Sequence, residues 1–125
     1  MDINTLTGNV IGAAIEVHKT LGPGLLESAY EECLCHELNL RGISHERQVP
    51  LPIQYKEVKL DCGYRIDILI DKTIILELKV TEKTEPIHKA QLLTYLKLAG
   101  LKIGLLINFN VPILKDGITR LVNDL

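Results

Sequence analysis

Aromatic side chains are scarce in this sequence. Its 125 residues include no tryptophan, one phenylalanine and four tyrosines. Proteins that hold single-stranded nucleic acid regardless of sequence stack successive bases on several aromatic rings. The small number of rings therefore excludes an extensive base-stacking surface.

The chain also lacks an excess of positive charge. It has 14 lysines and arginines against 16 aspartates and glutamates, for a formal net charge of −2. Phosphate neutralisation supplies most of the affinity of nucleic-acid binders, so the composition excludes a tight binder with a broadly basic surface. Any binding to nucleic acid must come from a local patch, a bound metal ion, a second subunit or a partner protein.

Cysteines are few and odd in number: Cys33, Cys35 and Cys62. The first residues have neither the basic nor the apolar region of a secretory signal, and no apolar run reaches the length of a membrane-spanning helix. We expect a cytoplasmic protein, without membrane attachment, whose reduced cysteines are buried as small hydrophobic residues. Cys33 and Cys35 would point to different sides of a helix, which makes a zinc site improbable.

The sequence is rich in aliphatic residues. Hydrophobic residues make up 46% of the chain, which is enough for a folded core, and the length suits one domain. We therefore expect a single domain spanning residues 1–125.

Helical spacing of apolar residues predicts three helices. The first covers about residues 4–20 and the second about residues 25–40, separated by a Gly-Pro-Gly stop. The third is expected to begin at Thr84 as N-cap, with Pro86 in its first turn, and to end near Leu98.

Alternating and continuous apolar runs predict the strands. Residues from about 45 to 55 alternate and contain two prolines, which places that strand at an edge or a bulge. Residues from about 57 to 70 and from 73 to 80 are apolar on more than one face and should be central. A buried strand is expected over about 102–109, and a short strand or turn over about 117–123. The core order α-α-β-β-β-α-β predicts an α/β fold with a mixed central sheet flanked by helices.

Charged residues interrupt the two central strands. Glu77 and Lys79 share one face of their strand because side chains alternate. A two-residue turn would place Asp67 opposite Leu76, whereas a three-residue loop through Thr73 would place it opposite Glu77. We favour the second register, although Thr73 does not suit the left-handed conformation that such loops usually need.

Facing carboxylates in an apolar sheet need compensation. They repel each other, and burial removes their hydration. Pairing with Lys79 or Arg65, a raised pKa, or a divalent cation would each relieve this cost. Hard oxygen ligands at this spacing suit Mg²⁺ or Mn²⁺, and the Lys79 ammonium could then hold an attacking water or help to deprotonate it. A structural salt-bridge cluster is the alternative.

The order of these residues resembles a known signature. Asp67 followed by the triplet Glu77-Leu78-Lys79 is similar to the motif of the PD-(D/E)XK nuclease superfamily, although Arg65-Ile66 stands where the name has a proline. The run GLLESAY at residues 24–30 resembles the motif of the GxxExxY protein family, small members of that superfamily largely without an assigned substrate. The resemblance extends from about residue 10 to residue 122.

The resemblance implies a restriction-endonuclease-like core and a set of metal ligands. Asp67, Glu77 and the Leu78 carbonyl would hold Mg²⁺ or Mn²⁺, Glu27 would complete the shell, and Lys79 would be the catalytic lysine. Glu27 also lies on the helical stripe that should face the sheet. Alternatively, it only stabilises the helix N-terminus through the macrodipole.

Further polar residues could contribute to substrate binding or support the site. His88, Gln91 and Tyr95 fall on one face of the third helix, and the resemblance implies that Gln91 and Tyr95 contact the metal site or the phosphate. For His88 an ordinary amphipathic helix is the simpler interpretation. Tyr30 is more typical of a core aromatic residue with a satisfied hydroxyl.

Three functions remain open from the sequence. The first is a metal-dependent phosphodiesterase that cleaves DNA or RNA with metal-activated water, assisted by a homodimer or a protein recruiter because the charge is unfavourable. The second is a non-catalytic binding or scaffold module that keeps the nuclease fold. The third is a structural carboxylate–lysine cluster in an unrelated protein.

Overall fold

The computed structural model describes residues 1–124. Helix α1 (Ile3–Leu21) is followed by α2 (Glu27–Leu40), close to the predicted bounds. The Asp2 side chain caps α1 by accepting a hydrogen bond from the Thr5 N–H at 2.9 Å. The later elements are β1 (His45–Pro50), β2 (Ile53–Tyr55), β3 (Val58–Leu60), β4 (Arg65–Ile70), β5 (Ile74–Lys79), α3 (Pro86–Ala99), β6 (Ile103–Asn108), a 3-10 turn (Leu114–Gly117) and β7 (Ile118–Val122).

The main sheet has five strands in the order β1-β4-β5-β6-β7. β5 and β6 are parallel because α3 crosses between them, and the other neighbours are antiparallel. The predicted α/β fold with a mixed sheet is therefore confirmed. The proline-containing β1 lies at an edge, and β4 and β5 are interior strands, as predicted.

Each face of the sheet carries its own hydrophobic cluster. α1 and α2 pack on one face, where residues such as Leu34, Leu76 and Leu105 are fully buried. α3 covers the other face with residues that include Leu92 and Leu96. The interior strands are apolar on both faces because both faces are covered.

Two of the predicted strands are interrupted. The strand expected over 45–55 divides into β1 and β2, and the one expected over 57–70 divides into β3 and β4. β2 and β3 form a separate two-stranded hairpin. Pro52 has no N–H with which to continue the ladder, and Lys56 turns the hairpin with a φ of 56°. The element order is therefore α-α-β-β-β-β-β-α-β-β.

Helix α3 begins one residue later than the predicted N-cap. Its N-cap is Glu85, not Thr84. The Glu85 N–H donates to Nδ1 of His88 at 3.0 Å, which satisfies a backbone donor at the start of the helix. His88 therefore stabilises the helix start, which the sequence interpretation did not include.

The expectation of buried cysteines holds for one of the three. Cys35 is buried in α2, whereas Cys33 lies on the exposed side of the same helix and Cys62 in the exposed loop after β3. Burial raises the pKa of the Cys35 thiol to about 11, so it stays protonated at neutral pH. Among residues 1–124, no helix combines the length and hydrophobicity needed to cross a bilayer.

Gly117 is required by close packing at the start of β7. A Cβ at this position would collide with the backbone carbonyl oxygen of Asn108. We predict that Gly117→Ala lowers the free energy of unfolding by about 1–3 kcal/mol, measured by urea denaturation. Gly8→Ala is the control, because a Cβ there meets no atom within 4 Å and alanine in a helix should stabilise by up to about 1 kcal/mol. Equal effects of the two substitutions would contradict the packing argument.

Candidate functional site

The predicted register between β4 and β5 is confirmed. Ile70 pairs with Ile74 and Ile68 with Leu76, so the loop has three residues, 71–73, and the register brings Asp67 opposite Glu77. The left-handed residues are Asp71 and Lys72, with φ of 47° and 56°. Thr73 is not in this conformation and instead donates its N–H to the Ile70 carbonyl at 2.8 Å, which removes the objection to this loop.

The backbone ladder opens at Asp67. Its N–H donates to Oε1 of Glu77 at 3.3 Å, and the Leu78 N–H donates to Oδ2 of Asp67 at 2.8 Å. Each carboxylate therefore accepts a donor from the neighbouring strand. Together they fill the place of the regular backbone pairs, which stop at Ile68 and Leu76.

The ladder also opens on the other side of β4. Arg47 and Val49 of β1 pair with Ile68 and Ile66, but Gln48 between them does not pair. Gln48 has a φ of 50°, a conformation that non-glycine residues rarely adopt. Asp67 therefore lies where the pairing of β4 with β5 has ended and where the pairing of β4 with β1 is interrupted for one residue.

Glu77 is buried next to a second carboxyl group. Its exposed fraction is 5%. Desolvation, the charge of Asp67 and a side-chain hydrogen bond between the two carboxyl groups raise the pKa of Glu77 to about 9. Glu77 is therefore protonated at neutral pH.

Glu27 approaches the same site from α2. Partial removal from water and the charges of Asp67 and Glu31 raise the pKa of Glu27, and Lys79 opposes this shift. Helix α2 thus places Glu27 close enough to interact electrostatically with the strand residues. Glu27 itself is exposed in the first turn of the helix. Of the four residues that the sequence singled out, Asp67 and Glu77 are in contact, Lys79 follows on the same strand, and Glu27 is within electrostatic range only.

Tyr30 fixes the turn that precedes Glu27. Its ring is fully buried and stacks on Phe109 with centroids 4.4 Å apart and planes at 9°. Its hydroxyl donates to the Gly22 carbonyl and accepts from the Leu25 N–H at 3.2 Å. Tyr30 is therefore a core residue that positions the start of α2, as its residue type indicated.

Lys79 is not engaged in an ion pair. Among residues 1–124, the salt bridges join other residues, and Arg65 pairs with Asp61 at 3.5 Å instead of with Asp67. The interpretation of the group as a salt-bridge cluster is therefore wrong for the described residues. The ammonium group of Lys79 remains available to a ligand.

The polar face of α3 lies beside Lys79. His88, Gln91 and Tyr95 line one groove together with Lys79. Gln91 donates its Nε2 to the Tyr95 hydroxyl at 3.2 Å. Burial, followed by the charge of Glu77, raises the pKa of Tyr95, so the neutral phenol is favoured next to the carboxyl pair.

Comparison with known protein families gives a match over nearly the whole chain. The family model of the PD-(D/E)XK nuclease superfamily matches residues 4–121. The chain belongs to this superfamily. The searches of curated proteins and of solved structures gave no match. The observed sheet and helices are consistent with a restriction-endonuclease-like fold.

The PD-(D/E)XK domain contains a partly buried ion pair that the sequence did not indicate: Glu31 is buried and Arg47 is exposed. Glu31, with an exposed fraction of 8%, accepts from Arg47 at 2.9 Å and from Nε2 of Gln48 at 2.8 Å. These contacts tie α2 to β1 at Arg47, which pairs with Ile68, and at Gln48, which lies at the position opposite Asp67. The helical spacing of four between Glu27 and Glu31 was a usable signal, whereas the contacts with β1 depend on tertiary packing.

Asn108 is a second missed residue. It is 1% exposed, and its Oδ1 accepts from the Thr81 and Asn110 N–H groups, each at 3.1 Å. Its Nδ2 donates to the Thr81 carbonyl at 2.9 Å. These bonds fasten the chain after Lys79 to the end of β6. The residues that follow the Glu77-Leu78-Lys79 strand are therefore held in a fixed position relative to β6.

The candidate metal ligands are only partly converged. Asp67 and Glu77 are in contact, but within residues 1–124 no three side chains of His, Cys, Asp or Glu form a group able to hold a metal ion. Glu27 is an electrostatic neighbour of Asp67 and not the third member of a closed ligand set. Its role as a metal ligand stays a prediction.

We predict that Glu77 makes the metal-free protein less stable as the pH rises. The ordinary pKa of 4.5 and the folded value of about 9 mean that the unfolded chain binds fewer protons than the folded chain between these values. Stability should therefore fall across that window. In a chelating buffer, the melting temperature of Glu77→Gln should exceed that of the native protein by more at pH 8 than at pH 5.

The control for this measurement is Glu82→Gln, because Glu82 is exposed. Its melting temperature should follow that of the native protein at both pH values. Parallel melting curves for Glu77→Gln and the native protein across the pH range would contradict the protonated state of Glu77.

Proposed function

We propose that the protein is a metal-dependent phosphodiesterase that hydrolyses DNA or RNA. The observation that carries this proposal is the contact of the Asp67 and Glu77 carboxyl groups where the β4–β5 ladder opens, with Lys79 two residues further along. Membership of the nuclease superfamily supports the same conclusion.

The donor set fits a hard divalent cation. Asp67 and Glu77 supply carboxylate oxygens, and the Leu78 carbonyl and Glu27 are the further proposed ligands for Mg²⁺ or Mn²⁺. The proton now held by Glu77 would be released on binding, because metal ligands must be deprotonated. When bound, the ion supplies Lewis-acid activation of water and neutralises phosphate charge.

The residues of the chain have separate parts in the proposed reaction. Asp67 is oriented by the Leu78 N–H, and burial of Glu77 keeps bulk water from its carboxyl group. Lys79 has no ion pair among the described residues, so its Nζ can donate a hydrogen bond to the attacking water or to a phosphate oxygen. Gln91, held by Tyr95, is a further donor beside Lys79.

The alternative is a binding or scaffold module without catalysis. The net charge of −2 and the incomplete convergence of carboxylates favour it. A homodimer or a recruiting protein could supply the affinity for nucleic acid that the net negative charge of one chain disfavours. Only the catalytic proposal requires cleavage that depends on Lys79.

We predict that the protein cleaves DNA or RNA in the presence of Mn²⁺. The measurement is gel electrophoresis of a mixture of labelled DNA and RNA substrates after incubation with the protein. Lys79→Met should reduce the rate about a hundredfold or more, because a group that acts on the water or the transition-state charge is lost. Chelation of the metal should abolish the reaction.

Lys102→Met is the matched control, because Lys102 is an exposed lysine outside the site, and it should keep the native rate. Cleavage that survives Lys79→Met would mean that other residues, or a contaminant, carry the activity.

A further inference from the structure

A groove of about 540 Å³ lies between α3 and the segment that precedes β4. Lys79 and Tyr95 line it, and Tyr95 interacts electrostatically with Glu77 and Asp67. The groove is therefore continuous with the candidate site. Its other walls come from the β2–β3 hairpin through Ile53 and from the residue before β4, Tyr64.

The charge of the groove differs from that of the chain. Lys79 and His88 are its basic residues, and none of the described residues that line it is acidic. The chain as a whole carries a net charge of −2. The lining itself therefore adds no carboxylate repulsion against an anionic ligand, and Lys79 can attract a phosphate there.

Tyr64 presents an aromatic surface to the groove. It is 43% exposed and contacts Tyr95 edge to face, with centroids 6.0 Å apart and planes at 71°. This contact orients the ring while leaving part of it accessible. Ile87, which is 70% exposed, adds apolar surface from α3.

Polar groups suitable for a base edge lie beside this ring. Nδ1 of His88 accepts the Glu85 N–H, so in the neutral ring Nε2 carries the proton and is a donor. Nε2 of Gln91 bonds to Tyr95, and Thr94, an exposed residue, adds a hydroxyl. Aromatic surface, donors and an adjacent cation are the chemistry that recognises a nucleotide with an exposed base.

We propose that this groove binds one unpaired nucleotide, whose base stacks on Tyr64 while its phosphate approaches Lys79. The protein thus prefers single-stranded ends, flaps or loops to a continuous duplex, because neighbouring pairs cover both faces of each base inside a duplex. Of the two tyrosines that line the groove, only Tyr64 is exposed, and this one accessible ring matches one base. The proposal rests on the proposed function in taking nucleic acid as the ligand.

The test measures binding without cleavage. Fluorescence anisotropy in a chelating low-salt buffer would compare a 12-nucleotide single-stranded DNA, the same sequence as RNA, and a blunt duplex. Tighter binding of at least one single strand than of the duplex is expected. Equal or tighter binding of the duplex overturns the proposal. The two single strands distinguish DNA from RNA as the source of the nucleotide.

Substitutions at two tyrosines locate the site. Tyr64→Ala should weaken single-strand binding by about tenfold, the usual loss for one stacked base, and Tyr64→Phe should retain it. Tyr55→Ala is the matched control, because Tyr55 is a 61% exposed tyrosine outside the groove and should bind normally. Unchanged binding by Tyr64→Ala overturns the proposal.

Measurements of folding and of cleavage distinguish failure of this proposal from failure of the proposed phosphodiesterase. Thermal melting of Tyr64→Ala and Tyr64→Phe shows whether both variants are folded, and loss of binding by a folded Tyr64→Phe also overturns stacking as the cause. Single-strand binding that depends on Tyr64, without any Mn²⁺-dependent cleavage, supports this proposal and contradicts the proposed phosphodiesterase.

Discussion

The contact between the Asp67 and Glu77 carboxyl groups is the constraint on which the site depends. Two carboxylates cannot both ionise at such proximity in an apolar sheet without compensation. The chain compensates in part by donating backbone N–H groups to both and by retaining a proton on Glu77, whose pKa is about 9. A divalent cation would replace that proton, and this is why an otherwise unfavourable pair suggests a functional role.

The surrounding structure holds this pair in place. The fully buried strand β6 supports β5 on one side, Asn108 holds the residues that follow β5, and Tyr30 fixes the turn that precedes Glu27. Glu31 joins α2 to β1 through Arg47 and through Gln48, which lies at the position opposite Asp67. These contacts lie outside the nuclease signature, yet they determine how closely Glu27 can approach the strand residues.

Much of the site could be predicted from the sequence because it depends on local periodicity. Alternation along a strand places Glu77 and Lys79 on one face, and the nine residues between Asp67 and Glu77 allow a short loop that pairs them. The interruption at Pro52 was harder to predict, because the prolines were consistent with either a continuous edge strand or a separate hairpin. The irregular Gln48 and the contacts of Glu31 with β1 depend on tertiary packing, which local patterns do not report.

A metal site at Asp67 and Glu77 is tested most directly by the anomalous difference density of a crystal soaked in Mn²⁺. We expect a peak bonded to the carboxylates of Asp67 and Glu77, with the hydrogen bond between them broken and Glu27 moved toward the ion. A soaked crystal in which the two carboxyl groups remain hydrogen-bonded to each other, with no peak beside them, would contradict it.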